Sequence, residues 1–117
     1  MILKLARARR IEMKKGNSEA LKYLRSISYE GPYSGILMGY IAHLLLVTRS
    51  PEAAAYIEDA RGYVESRRDR IEYPEYCSAY LSYLGRVVAD ESWSEAGKET
   101  LSKPASAFAR RILYVFT

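Results

Sequence analysis

Residues 33–48 read YSGILMGYIAHLLLVT, and this stretch decides how the chain is organised. Its side chains are apolar on nearly every side of a helix, and a helix of that kind has to be covered by other elements all round. The stretch is too short to cross a bilayer, which takes about 20 apolar residues. We therefore predict a central helix inside a small globular domain, and the cytoplasm is the default location.

Turn residues and prolines on both sides of this stretch mark where further helices begin. Proline fits the first turn of a helix, because its missing N–H would have no intrahelical partner there. Four prolines, one glycine turn and one capping box divide the chain into seven predicted helices, at residues 2–15, 18–28, 33–48, 51–70, 74–89, 93–102 and 105–116. No stretch alternates with period two for long enough to form a strand. The predicted fold is all-α, with about seven antiparallel helices.

A short sequence pattern recurs along the chain. In three places a turn is followed by Glu-Ala at the start of a helix, and the alanines of these pairs are Ala20, Ala53 and Ala96. The preceding helix carries a small residue each time, and these residues are Ala8, Gly39 and Gly85. Small residues at such positions allow two helices to pack closely. The pattern resembles the tetratricopeptide repeat, a helical hairpin of about 34 residues.

The resemblance implies a right-handed α-α superhelix within a single domain, residues 1–117. Its hairpin units would cover about residues 2–31, 32–72 and 73–103, and residues 104–117 would form a C-terminal capping helix. Ala20 and Ala53 are 33 residues apart, close to the repeat length, but Ala53 and Ala96 are 43 apart. Because the spacing is uneven, an irregular helical bundle stays open as the alternative.

Members of this family bind extended peptides or partner helices along an inner groove. The resemblance carries that role to five residues at groove positions, which are Arg9, Met13, Tyr40, His43 and Arg86. His43 is the only histidine, and a hydrogen-bonded packing role is the alternative for it. A protein or peptide partner is therefore predicted. The apolar residues 112–116 suggest either docking on the body of the domain or a homodimer contact through the C-terminal helix.

Positive charge is concentrated at the N-terminal end. Residues 1–25 hold eight Lys or Arg against two Glu, whereas the rest of the chain has a slight acidic excess. Helical spacing places Lys4, Arg7, Arg10 and Lys14 on one side of the first helix, and we call these four residues the basic patch. Tyr73, Tyr76, Tyr80 and Tyr83 form a stripe on a later helix. Together they support a nucleic-acid-associated role as the alternative function.

Residues that could carry catalysis are few. The chain has one cysteine, Cys77, and one histidine. These two residues cannot supply a zinc site, and no second histidine is present that could activate Cys77 as a nucleophile. Glycine-rich phosphate loops are absent, and so is the Arg-x4-6-His motif of a helical RNase family. Cys77 is expected to be a packing residue rather than a reactive thiol. The sequence therefore predicts a non-enzymatic interaction module without a cofactor or metal.

Overall fold

The computed structural model describes residues 1–89, which form five α-helices and no strand. The helices are α1 (Ile2–Lys15), α2 (Asn17–Arg25), α3 (Ser34–Val47), α4 (Ala53–Ser66) and α5 (Pro74–Ala89). The all-α prediction is confirmed for this part of the chain. The helices predicted at 93–102 and 105–116, the capping helix and the C-terminal dimer contact lie outside the described residues. None of the five helices is both long and apolar enough to span a membrane.

Helix α3 is the centre of the packing, as its all-round apolar sequence predicts. It packs against α2, α4 and α5, while α1 packs chiefly on α2. Its side chains Ile36, Leu44, Leu45 and Leu46 are at most 1% exposed. Complete burial of a leucine or isoleucine contributes about 1.5–3 kcal/mol to the hydrophobic stabilisation. This one helix therefore organises the core.

Two helices end earlier than the sequence analysis predicts. Helix α2 ends at Arg25 instead of residue 28, and α4 ends at Ser66 instead of residue 70. At both ends a serine hydroxyl donates a hydrogen bond to the carbonyl three residues back, from Ser26 to Tyr23 and from Ser66 to Tyr63. Serine side chains compete with the backbone for such carbonyls and so favour helix ends. Helix α4 also begins two residues late, at Ala53, after a turn in which Ser50 Oγ accepts the Glu52 N–H.

The segment after α4 fixes where α5 lies. The Glu72 N–H donates to the Pro32 carbonyl at 2.7 Å, which ties this segment to the start of α3. Ile71 is buried, and a Cβ added to Gly35 would lie 3.1 Å from Ile71 Cδ1 and 3.0 Å from Cys77 Sγ. Glycine on α3 therefore allows the close approach of α5. Burial raises the pKa of the Cys77 thiol to about 12, in keeping with a packing residue.

Helices α1 and α2 are joined through a single residue, Gly16. Its φ of 99° lies in a region that favours glycine, and its N–H donates to the Glu12 carbonyl. Ala8 on α1 and Ala20 on α2 are both fully buried, so small residues line the contact between the two helices. As a result, Leu5 and Ala8 face the core, and Arg7, Arg10 and Lys14 are left on the exposed side of α1.

Candidate functional site

A group of polar side chains lies where α1, α3 and α5 come near one another. Helix α1 contributes Arg9 and Glu12, α3 contributes Tyr40 and His43, and α5 contributes Tyr80, and we call these five residues the polar cluster. Each pair on one helix is three residues apart, which puts both members on the same face. The polar cluster therefore joins three helices that are not consecutive in the chain.

Glu12 connects α1 to α3. Tyr40 Oη donates a 2.7 Å hydrogen bond to Glu12 Oε1, and the Arg9 guanidinium pairs with the other carboxylate oxygen. The Glu12 side chain is only 16% exposed. Burial, reinforced by the hydrogen bond to Glu12, raises the pKa of Tyr40 well above its ordinary value, so its hydroxyl stays protonated and remains a donor. Both carboxylate oxygens of Glu12 are therefore engaged within the protein.

His43 carries an unusual buried atom. Its Nδ1 is inaccessible to solvent and has no hydrogen-bond partner among residues 1–89, although the residue as a whole is only half-buried. The His43 ring centroid lies 6.5 Å from that of Tyr80, with the planes tilted by 49°. Burial lowers the pKa of His43; nearby Glu12 opposes this effect, and Arg9 adds to it. A neutral imidazole of this kind has both a donor and an acceptor nitrogen.

Comparison with known proteins returned nothing. No family model, no curated protein and no solved structure matches this chain. Residues 1–89 also contain no group of three or more His, Cys, Asp or Glu side chains that could hold a metal ion.

The structure brings together three of the five residues predicted to bind a partner. Arg9, Tyr40 and His43 belong to the polar cluster, whereas Met13 is 74% exposed on α1 and Arg86 is exposed near the end of α5. Within the described part of the chain, no side-chain hydrogen bond joins Met13 or Arg86 to a member of the cluster. Their partner-binding role stays a prediction.

Sequence reasoning missed two members of the polar cluster. In the sequence, Glu12 is one of the two acids in the basic N-terminal segment, and Tyr80 is one member of the tyrosine stripe. No local pattern connects Glu12 with Tyr40, because the two residues are 28 positions apart. The three-residue spacing of Arg9 and Glu12 was the one available signal, since it predicts an ion pair on the helix surface.

The predicted basic patch forms an exposed surface of α1. Lys4, Arg7, Arg10 and Lys14 are all exposed, and none pairs with a carboxylate among residues 1–89. A shallow depression of about 320 Å³ runs along this side of the helix, lined by Arg7, Arg10, Ile11, Lys14 and Lys15. The Arg7 guanidinium carbon lies 5.5 Å from the ring centroid of Tyr23 on α2. The structure thus places an aromatic ring beside the basic patch.

The tyrosine stripe does not form one surface. Tyr73 and Tyr76 are 43% and 39% exposed, Tyr83 is half-buried, and Tyr80 is only 6% exposed. Burial raises the pKa of Tyr80 above its ordinary value. The stripe therefore has an exposed end at Tyr73 and Tyr76, whereas Tyr80 is packed in the domain beside His43.

Replacing His43 with glutamine is expected to weaken the dependence of stability on pH. Burial holds the folded-state pKa of His43 below the unfolded value of 6.5, so the unfolded chain takes up the proton first as the pH falls. The stability that the neutral ring contributes is present above pH 6.5 and is lost as the pH drops toward the folded-state pKa. Each unit of pKa lowering corresponds to about 1.4 kcal/mol. Urea unfolding followed by circular dichroism at about pH 7.5 and about pH 5 measures the difference.

The comparison between wild-type protein and His43→Gln isolates the effect of His43 protonation on stability. Wild-type protein should lose more free energy of unfolding between these pH values than His43→Gln, because glutamine does not titrate. Equal losses in the two proteins would show that His43 titrates alike in the folded and unfolded states. In that case the burial of the ring would have no effect on its protonation.

Proposed function

We propose that this chain is a non-catalytic interaction module, which binds a peptide or helix of a partner protein on the side where the polar cluster lies. In this proposal α1, α3 and α5 are the first helices of successive tetratricopeptide-like hairpins, and their shared side is the binding groove. A groove of this kind holds an extended or helical segment through a few anchor contacts.

The order of helix packing supports the hairpin arrangement. Each helix packs on the next one in the chain, and α3 also packs on α5. Ala20 and Ala53, the alanines of the recurring sequence pattern, are both buried near the start of the second helix of a hairpin. Gly85 lies beside α4, where an added Cβ would be 3.7 Å from Ile57 Cγ2. These features agree with hairpins that stack in sequence order.

The half-buried position of His43 within the polar cluster is the observation that carries the proposal. Because Nδ1 is closed to solvent and the residue as a whole is half-buried, a partner would contact the exposed part of His43 rather than this atom. A neutral histidine can accept a hydrogen bond from a backbone N–H or donate one to a carbonyl. The His43 ring lies 6.5 Å from that of Tyr80, which is only 6% exposed, so the imidazole is held against a packed side chain.

The engagement of Glu12 supports binding rather than catalysis. A general base needs a lone pair free to take a proton from the substrate. In the polar cluster one oxygen of Glu12 accepts from Tyr40 and the other pairs with Arg9. The two contacts fix the positions of the Tyr40 and Arg9 side chains, and the carboxylate is only 16% exposed, so little of it is open to a substrate. The cluster is better suited to present a rigid surface.

Selection of peptides against the immobilised full chain tests this function. Enriched peptides should bind wild-type protein in isothermal titration, and His43→Ala should weaken the binding at least about tenfold, as expected for a hot-spot residue. Arg86→Ala should weaken it less, because Arg86 is exposed. Arg70→Ala removes an exposed arginine from the segment after α4 and is the matched control for Arg86→Ala.

The result that would contradict the proposal is equally clear. If no peptide is enriched, or if enriched peptides bind His43→Ala as tightly as wild type, the polar cluster is not the binding site. Circular dichroism of each variant establishes that a loss of binding is not a loss of fold. Hydrogen exchange with the peptide bound should show added protection in α1, α3 and α5.

A further inference from the structure

The side of α1 opposite the polar cluster carries charge that the proposed groove does not use. Arg7, Arg10 and Lys14 recur at intervals of three and four residues, so they follow one exposed face of the helix. Lys15 adds a fourth cation to the same depression. Arg9, by contrast, is neutralised by Glu12 on the other side. Four cations of α1 that pair with no carboxylate among residues 1–89 thus line one depression.

We propose that this depression binds single-stranded nucleic acid, with the cations on phosphates and the Arg7–Tyr23 pair against a base. This binding surface consists of Arg7, Arg10, Lys14, Lys15 and Tyr23, and we call it the basic-aromatic surface. It does not depend on the groove proposal, because the polar cluster lies on the opposite side of α1. The protein would then hold a protein partner and a nucleic acid at the same time.

The positive charge of the basic-aromatic surface favours a polyanion as its ligand. None of the four cations pairs with a carboxylate in the described part of the chain, so no internal ion pair has to be broken on binding. The protein has a net charge of +4 and an isoelectric point of about 9.2. A row of basic residues along one helix of a basic domain is a common feature of nucleic-acid-binding proteins.

The ring of Tyr23 is the second argument, and it favours a single strand. The Arg7 guanidinium lies over this ring at 5.5 Å. Proteins that bind single strands combine cations that follow the backbone with aromatic or guanidinium planes on which bases stack. Such planes can reach a base only where it is not already stacked in a duplex. The tertiary contact between α1 and α2 creates this combination.

The lining of the depression argues against a protein partner at this surface. Protein interfaces are centred on buried apolar or aromatic anchors and are depleted of lysine. Here Ile11 is the one aliphatic side chain in the lining, and two of the other four lining residues are lysines. The chemistry therefore favours a phosphate backbone over an acidic peptide.

Fluorescence anisotropy with a labelled 12-nucleotide oligouridylate tests the proposal. If four cations contact phosphates, the logarithm of the affinity should fall with the logarithm of the salt concentration with a slope of about −3. Arg10→Ala/Lys14→Ala should reduce the steepness of that slope by about 1.4 and lower the affinity at least about tenfold at low salt. Arg68→Ala/Arg70→Ala removes the same charge outside the surface and should change the affinity less than about twofold.

Two further measurements separate base contacts from charge alone. An abasic strand of equal length should bind at least about fivefold more weakly than the oligouridylate, and Tyr23→Ala should remove that difference. Absence of binding at low salt, or equal losses in the two double variants, would overturn the proposal. So would competition by polyglutamate of equal charge as strong as that by the oligonucleotide, since it would identify an acidic polypeptide as the ligand.

Discussion

Replacing Leu44 with alanine is expected to lower the free energy of unfolding by about 2–5 kcal/mol. Leu44 is 0% exposed in the last turn of α3, the helix that packs against three others. Truncation removes apolar contacts and leaves a cavity that the surrounding helices can close only in part. Because single domains are stable by about 5–15 kcal/mol, this one change removes a large share of the total.

Leu3→Ala is the matched control for this prediction. Leu3 lies on the exposed side of α1 and is 81% exposed, so the same chemical change should alter the stability by less than about 0.5 kcal/mol. Urea unfolding of both variants and of wild type measures the two effects. A similar small loss for Leu44→Ala would mean that α3 is not the centre of the core.

The second large effect is expected for Glu12→Ala, which should cost about 1–3 kcal/mol of unfolding free energy. The substitution leaves the Tyr40 hydroxyl without its acceptor at a position that is only 4% exposed. A buried donor that loses its partner costs more than the hydrogen bond itself contributed. Loss of the Arg9 pair adds less than about 1 kcal/mol, because Arg9 is 41% exposed.

A double-mutant cycle with Tyr40→Phe separates the hydrogen bond from the other contacts of Glu12. Tyr40→Phe alone should cost about 1 kcal/mol, and most of that cost should vanish when Glu12 is already alanine. Glu30→Ala, at an exposed position outside the helices, is the control for removing a carboxylate. Strict additivity of the two changes would contradict a direct bond between Tyr40 and Glu12.

Much of the fold of residues 1–89 could be predicted from local sequence. Helices α1, α3 and α5 lie within one residue of their predicted ends, because proline, glycine and apolar spacing act over one or two turns. The errors fall at the ends of α2 and α4. At each of their C-terminal ends a serine hydroxyl competes for a backbone carbonyl. The apolar pattern alone does not reveal this competition.

The candidate site was predicted less completely than the fold. The resemblance put Arg9, Tyr40 and His43 at groove positions, and the structure brings these three residues into one polar cluster, while their partner-binding role stays a prediction. The same reasoning missed Glu12 as the acceptor for Tyr40, and it treated the tyrosine stripe as one surface. Periodicity tells which residues share a face, but it does not tell which neighbouring helix covers that face.

The sequence by itself determined that the described part of the chain is helical, that α3 lies at its centre and that α1 carries a basic side. Only the tertiary structure decided that Glu12 meets Tyr40 and that Tyr23 lies under Arg7. The physical reason is that helix formation depends on neighbours within a few residues. Contacts between helices depend instead on how closely their backbones approach, and small residues such as Gly35 set that distance.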